Sequence, residues 1–123
     1  MKNKLLYVLG VILMMSLFSG CSKVSDEELR AARKAYENGA LIIDVRTREE
    51  FNEKHAKGAV NIAVQNLERY YEHIPKGKEI IVYCRTGSRS HMAAEFLKKK
   101  GRKVYDVATQ DDWERELSPS STN

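Results

Sequence analysis

The chain's most reactive combination of side chains lies in one short segment, Tyr83-Cys84-Arg85-Thr86-Gly87-Ser88-Arg89-Ser90. A thiol is followed at close spacing by two guanidinium groups, a glycine and three hydroxyls, and no acidic residue falls between Cys84 and Ala94. A loop of this composition can turn its backbone N–H groups toward one centre, and Gly87 allows the positive φ needed to bend around an anion. With a helix N-terminus behind it, such a loop favours negative charge. Arg85 and Arg89 add two permanent positive charges. Cys84 is therefore expected to react as a thiolate, in the electropositive setting typical of nucleophilic cysteines.

A thiolate in an anion cradle suits attack on an anionic sulfur donor. With thiosulfate, Cys84 takes the outer sulfur as a persulfide and sulfite leaves. Cyanide or a thiol then removes the sulfur, which is covalent catalysis in two half-reactions. Arg89 is expected to grip the donor's oxygens, since a guanidinium binds two at once. Arg85 is expected to steer anions inward and to hold the same donor. Thr86, Gly87 and Ser88 supply loop amides, with Ser90 in support. The scheme needs no cofactor beyond the bound sulfur. His55, His73 and His91 lack metal-ligand spacing, so no metal is expected.

The surrounding elements must hold this loop. Glu79 to Tyr83 reads as a buried strand running into Cys84, and Ser90 to Lys100 as a helix with Ala93, Ala94 and Leu97 inward. Upstream, Ser25 with Glu28 forms a capping box that opens a helix ending at Asn38-Gly39. Leu41 to Val45 is a buried strand, and Thr47 with Glu50 is a second capping box. Val60 to Ala63 is a short extended piece, and Leu67 to Ile74 reads as a helix ending before Pro75. Lys103 to Val107 is the last strand and Asp111 to Leu117 the last helix. Alternating strands and helices imply parallel pairing, with ligands beyond the strands' carboxyl ends. Asp44 and Cys84 both occupy such ends. Asp44 and Arg46 either orient the active loop or tie the strand end to the next helix, and the second reading is favoured. Trp113 reads as core, and His91 as an exposed first-turn residue.

The first 20 residues differ from the rest. Lys2 and Lys4 precede a 14-residue apolar run, Leu5 to Phe18, followed by small residues and Cys21. That run is shorter than the roughly 20 residues a membrane helix needs and has the layout of a secretory signal. Phe18-Ser19-Gly20-Cys21 resembles the lipobox of bacterial lipoproteins. The resemblance implies a signal peptide over 1–20, lipidation of Cys21, a short linker over 21–24, and attachment to the extracytoplasmic side of a membrane, facing the periplasm or the cell surface. With Cys21 lipidated, Cys84 has no partner, and an odd thiol in an exported chain marks a reactive one. Formal charge is +4, and without Lys2 and Lys4 it is +2. A balance so near neutral does not suggest nucleic acid. A length of 123 residues fits one domain, expected over 25–117 and as a monomer, with a disordered tail over 118–123.

Three motifs resemble the rhodanese family. Cys84 to Ser90 is similar to the loop Cys-Arg-x-Gly-x-Arg-Ser of its single-domain members. Ile43-Asp44-Val45-Arg46 with Glu49, Glu50 and Phe51 is similar to the strand-and-helix signature upstream. His55 to Ile62 is similar to a His-Ile-Pro-Gly-Ala-x-Asn-Ile stretch. The resemblance covers roughly Val24 to Leu117. It implies a single α/β domain with a mainly parallel five-stranded sheet, helices on both faces, and thiosulfate sulfurtransferase activity. The family's Gly-Gly pair before the last helix is missing from Ala108-Thr109-Gln110-Asp111-Asp112-Trp113, which leaves donor and acceptor preference open. Phosphatases and arsenate reductases of the same fold carry a loop one residue longer, so the four residues between Cys84 and Arg89 favour a sulfur-sized group. A non-catalytic sulfur carrier or docking domain at the membrane is the other alternative.

Overall fold

A computed structural model describes residues 24–117. The expectations for the signal segment, Cys21 and the tail after Leu117 lie outside the described residues. Ser25 caps α1 (Asp26–Glu37), accepting the Glu28 N–H while Glu28 returns to the Ser25 backbone. Asp26, Glu27 and Glu28 in the first turn complement the helix dipole. The chain continues through β1 (Leu41–Asp44), α2 (Arg48–Glu53) and β2 (Val60–Asn61). It then enters a broken helical stretch with α3 (Leu67–Tyr70) at its centre. β3 (Ile80–Cys84), α4 (Ser88–Lys99), β4 (Val104–Thr109) and α5 (Gln110–Glu114) complete it.

The described sheet is four-stranded and wholly parallel, in the order β2-β1-β3-β4. This corrects the five-stranded sheet that the resemblance implied. Val24, ahead of α1, buries its side chain in the core but pairs with no strand, because Ser25 is already committed to the helix cap. Between β2 and β3, Val64 to His73 folds into short helical turns. No further extended apolar run remains among the described residues.

Side chains along the strands alternate between two cores, as the strand period of two requires. Ile42, Ile81, Tyr83 and Val107 face α1 residues Leu29, Ala32 and Ala35, together with Trp113. Ile43, Val45, Ile80, Val82 and Cys84 join Ala93, Ala94 and Leu97 of α4 on the opposite face. Each fully buried Leu or Ile contributes roughly 1.5–3 kcal/mol, so the two layers clamp the sheet from both sides. Cys84 thus sits at the end of a strand buried along its whole length.

Among the boundaries that differ from expectation, three have a clear local reason. Leu67 to Ile74 is not one helix: only Leu67 is buried within α3, the chain tightens into a 3₁₀ turn at Tyr71–His73, and Ile74 is extended before Pro75. α4 begins at Ser88 rather than Ser90, which draws Arg89 into its first turn. α5 stops at Glu114 because Arg115 is extended; its guanidinium turns back to Asp112, Asp26 and the Val24 carbonyl. Arg33 donates to the Trp113 and Arg115 carbonyls, satisfying acceptors left free at that helix end.

Candidate active site

β3 delivers Cys84 to the carboxyl edge of the sheet, and Gly87 turns the chain directly into α4 at φ 99°. That turn brings the Gly87 N–H to 3.0 Å from the Cys84 sulfur. The first-turn amides of Ser88, Arg89 and Ser90 have no intrahelical acceptor, so the helix presents its positive end to the loop. Ser90 is buried and donates to the Gly87 carbonyl at 3.0 Å, fixing the turn from below. Thr86 and Ser88 are exposed. Cys84 itself is only 1% exposed. It borders an open cavity of about 240 Å³ whose rim includes Arg46, Glu50, Lys54, Arg85 and Asp111.

The two loop arginines differ. The terminal nitrogens of Arg89 donate to both Glu50 oxygens at 2.7 and 3.0 Å. The guanidinium expected to grip a donor is therefore already held by a carboxylate. This bidentate pair, opposed by burial and helped by the Thr47 N–H and hydroxyl, holds the Glu50 carboxyl down at about 2. Glu50 in turn raises the Arg89 guanidinium, with a smaller contribution from the charge of Cys84. Arg85 is exposed and has no ion-pair partner among the described residues.

Asp44 and Arg46 form a closed unit beside the loop. Asp44 is fully buried and accepts from Arg46 Nε, from Arg46 Nη2 at 2.7 Å and from the Arg46 backbone N–H. The Tyr83 hydroxyl also donates to it at 2.8 Å. The other terminal bond of Arg46 runs to the Lys54 carbonyl at the end of α2. The Ala56 N–H donates to the Tyr83 oxygen. Burial, foremost, and the Asp44 carboxylate push the Tyr83 hydroxyl well above its ordinary value and keep it protonated. This arrangement ties strand end to helix end. Trp113 is core, in edge contact with Tyr36, and His91 is exposed beside Glu95 and Asp106.

β4 carries a feature absent from the sequence reading. Val82 lies opposite Asp106 while Cys84 lies opposite Thr109, so β4 holds one extra residue there. Ala108 takes up the excess at φ 61°, the one described non-glycine residue with positive φ. The Asp106 carboxylate accepts the Ala108 N–H at 3.0 Å and holds this conformation. Such bulges re-aim chains next to active sites. This one sets Thr109 opposite Cys84 and carries Gln110 and Asp111 to the cavity.

Glu53 and Lys54 were not expected at the site, Glu50 was expected as a helix cap and as part of the family's upstream signature, and Gln110 and Asp111 were expected beside the site only through the resemblance of the Ala108–Trp113 stretch. The helical spacing of Glu50, Glu53 and Lys54 on a helix following a strand end was the available signal. For Asp111 the signal was that resemblance, while the bulge that precedes it left no mark in the sequence.

Residues 25–109 match the Rhodanese-like domain family. The chain belongs to that family. Among its relatives, the putative sulfur carrier protein YrkF of Bacillus subtilis is 38% identical over 74 residues, covering 58% of this chain and 40% of that protein. The thiosulfate sulfurtransferase GlpE of Coxiella burnetii is 29% identical over 85 residues, covering 68% of this chain and 79% of the relative. A solved E. coli rhodanese with anions superposes with a TM-score of 0.56 at 30% identity, covering 63% of this chain and 95% of that one. This rhodanese-like chain thus spans less than half the length of its Bacillus relative. Its matches support sulfur transfer in general.

Proposed function

We propose that this chain is an enzyme that transfers sulfane sulfur through a persulfide on Cys84. The observation that carries the reading is the Cys84 sulfur itself, 3.0 Å from the Gly87 N–H at a helix N-terminus and beside an open, charged cavity. The thiolate attacks the outer sulfur of thiosulfate; the new S–S bond forms as the bond to the sulfonate sulfur breaks, and sulfite leaves with the electron pair. Cyanide then attacks the outer sulfur of the persulfide, and thiocyanate leaves as the Cys84 thiolate returns. The persulfide carries negative charge, which the loop amides can hold as they hold the thiolate.

Arg85 holds the donor's oxygens in this reading, and Arg89 positions the loop through Glu50. In this reading the backbone amides of Thr86, Gly87 and Ser88 hold the bound anion, as the Gly87 N–H contacts the sulfur at 3.0 Å. A carrier role with a protein thiol as acceptor uses the same persulfide, and the likeness to a putative sulfur carrier favours it as a second reading. Export and lipidation at Cys21 belong to the proposal on the sequence pattern alone; acyl-chain labelling that persists in a Cys21→Ser variant contradicts that part.

The test is steady-state kinetics with thiosulfate and cyanide. Parallel double-reciprocal lines are expected, as for any covalent two-step transfer, and Cys84→Ser abolishes turnover. Thiocyanate formation that survives Cys84→Ser overturns the reading.

A further inference from the structure

The end of the domain opposite Cys84 carries a charge that the sulfur chemistry does not use. All strands of the sheet are parallel, so β3 and β4 begin at that end, and Cys84 closes β3 at the other. Residues 75–79 and 98–103 hold seven of the chain's 21 lysines and arginines and one of its 17 acids, Glu79. Their balance is +6 in a chain whose formal total is +4, so the remainder is net negative. Arg102 joins the two segments by donating to the Pro75 and Lys78 carbonyls at 2.7 and 3.0 Å. The Ile80 N–H donates to the Lys103 carbonyl and sets Lys103 beside the same turn. Lys76, Lys78, Lys98, Lys99 and Lys103 are exposed and have no ion-pair partner among the described residues.

Helix termination accounts for part of this. Lys98 and Lys99 lie in the last turn of α4, where cations complement the dipole. Lys76, Lys78 and Lys103 lie outside any helix and gain nothing from it. Gathered at one end, these charges repel one another until an anionic surface neutralises them. The shape of the face selects the partner. The cavity at this end, about 500 Å³, is lined by Asn38, Gly39, Ala40, Gly77, Lys78 and Glu79. One cation enters it beside one acid, and the other lysines stand outside. A single-stranded nucleic acid is held by a charged groove with rings free to stack on its bases. Here Tyr71 and Phe96 pack edge to face, and Lys100 lies 5.4 and 5.6 Å from their ring centres. The exposed large apolar side chains among the described residues, Tyr36, Val60, Tyr70 and Met92, are all outside these segments. Lysines spread over an end face, with neither groove nor apolar wedge, match a broad anionic plane.

We propose that this end face docks on the anionic phospholipid headgroups of a bilayer and leaves Cys84 turned away from it. Clusters of about four to eight basic residues bind anionic lipid in this way. The docking does not depend on Cys21. Val24 lies at the opposite edge, where Arg115, just after α5, donates to its carbonyl. A lipid on Cys21 would therefore hold the other end of the domain.

The experiment sediments the purified full chain, carrying Cys21→Ser, with vesicles of phosphatidylcholine alone or of phosphatidylcholine and phosphatidylglycerol in equal parts. Binding to the neutral vesicles sets the baseline for the apolar run Leu5 to Phe18. Tighter binding to the anionic vesicles is expected, and this excess should vanish at high salt. Lys98→Gln with Lys99→Gln should lower the excess affinity about tenfold, and adding Lys76→Gln and Lys78→Gln should lower it about a hundredfold. Arg48→Gln with Lys57→Gln removes two exposed cations between β1 and β2 and should change it about twofold or less. Circular dichroism checks each variant's fold, and the two double variants carry the test if the fourfold one unfolds. Iodoacetamide should label Cys84, the one cysteine left, at the same rate in the free and bound chain. Equal binding to both vesicle types, equal losses in the two double variants, or tighter binding to a single-stranded RNA homopolymer than to the anionic vesicles overturns the docking. Labelling that slows on binding overturns the outward orientation.

Discussion

The carboxyl ends of β1 and β3 lie side by side, with Asp44 paired to Tyr83 across the sheet, yet they treat charge in opposite ways. At the end of β1, the Asp44 carboxylate is wholly buried and bonded to Arg46 and Tyr83, and Arg46 is bonded onward to α2. At the end of β3, a backbone N–H is aimed at a sulfur, and the neighbouring Arg85 is unpaired among the described residues. The first end is scaffold because its polar groups are satisfied within the fold. The second is open, with Cys84 and Arg85 bordering a cavity, and it is the end we propose to be reactive. The difference separates two pairs of residues that look equally functional as a string of letters.

The largest expected effect tests the scaffold end. Asp44→Ala leaves a largely buried guanidinium and a buried hydroxyl without their acceptor, and about 3–5 kcal/mol of stability should be lost. Denaturant unfolding measures it; a loss under 1 kcal/mol breaks the contrast between the two strand ends. Glu50→Gln should cost less stability, about 1 kcal/mol for a partly exposed pair, but should slow sulfur loading of Cys84 about tenfold through misplacement of Arg89 and the loop. Unchanged loading in that variant removes the positioning role assigned to Arg89.

The pH dependence sharpens the same point. Glu50 is held at about 2 in the fold, against 4.5 unperturbed, so its contribution is fully present above about 4.5 and fades as the pH falls toward 2. The stability gap between wild type and Glu50→Gln should therefore close across that window. A gap that stays constant there removes the Arg89 pair as its cause. The smallest effect is expected at Ala108→Gly. It relieves a left-handed conformation costly to a side chain, worth about 1 kcal/mol in favour of the variant. A loss of stability in that variant shows that the methyl group's packing beside Gly87 outweighs the strain.

What was legible in the sequence was local. Both capping boxes formed as their spacing required, and the run from Tyr83 to Ser90 gave the strand–turn–helix around Cys84. Leu29, Ala93 and Leu97 are buried as their periodicity implied. What was hidden depends on distance along the chain. Glu50 and Arg89 are 39 residues apart, and the same Glu50 was already explained by its cap. The extra residue in β4 leaves no mark in Val107-Ala108-Thr109, whose composition suits an unbroken strand. Asp111, which lines the cavity, lies just beyond that bulge. The strand number was misjudged because it was carried over from a resemblance, where Val24 serves as a core contact rather than a paired residue.

The whole account depends on whether the sulfur of one buried cysteine takes up another. Intact mass of the purified chain, recorded before and after thiosulfate or a persulfide and again after cyanide, answers this directly. The account predicts a gain of one sulfur atom, mapped to Cys84 and lost on adding cyanide; a chain whose mass never changes while its thiol stays free contradicts it.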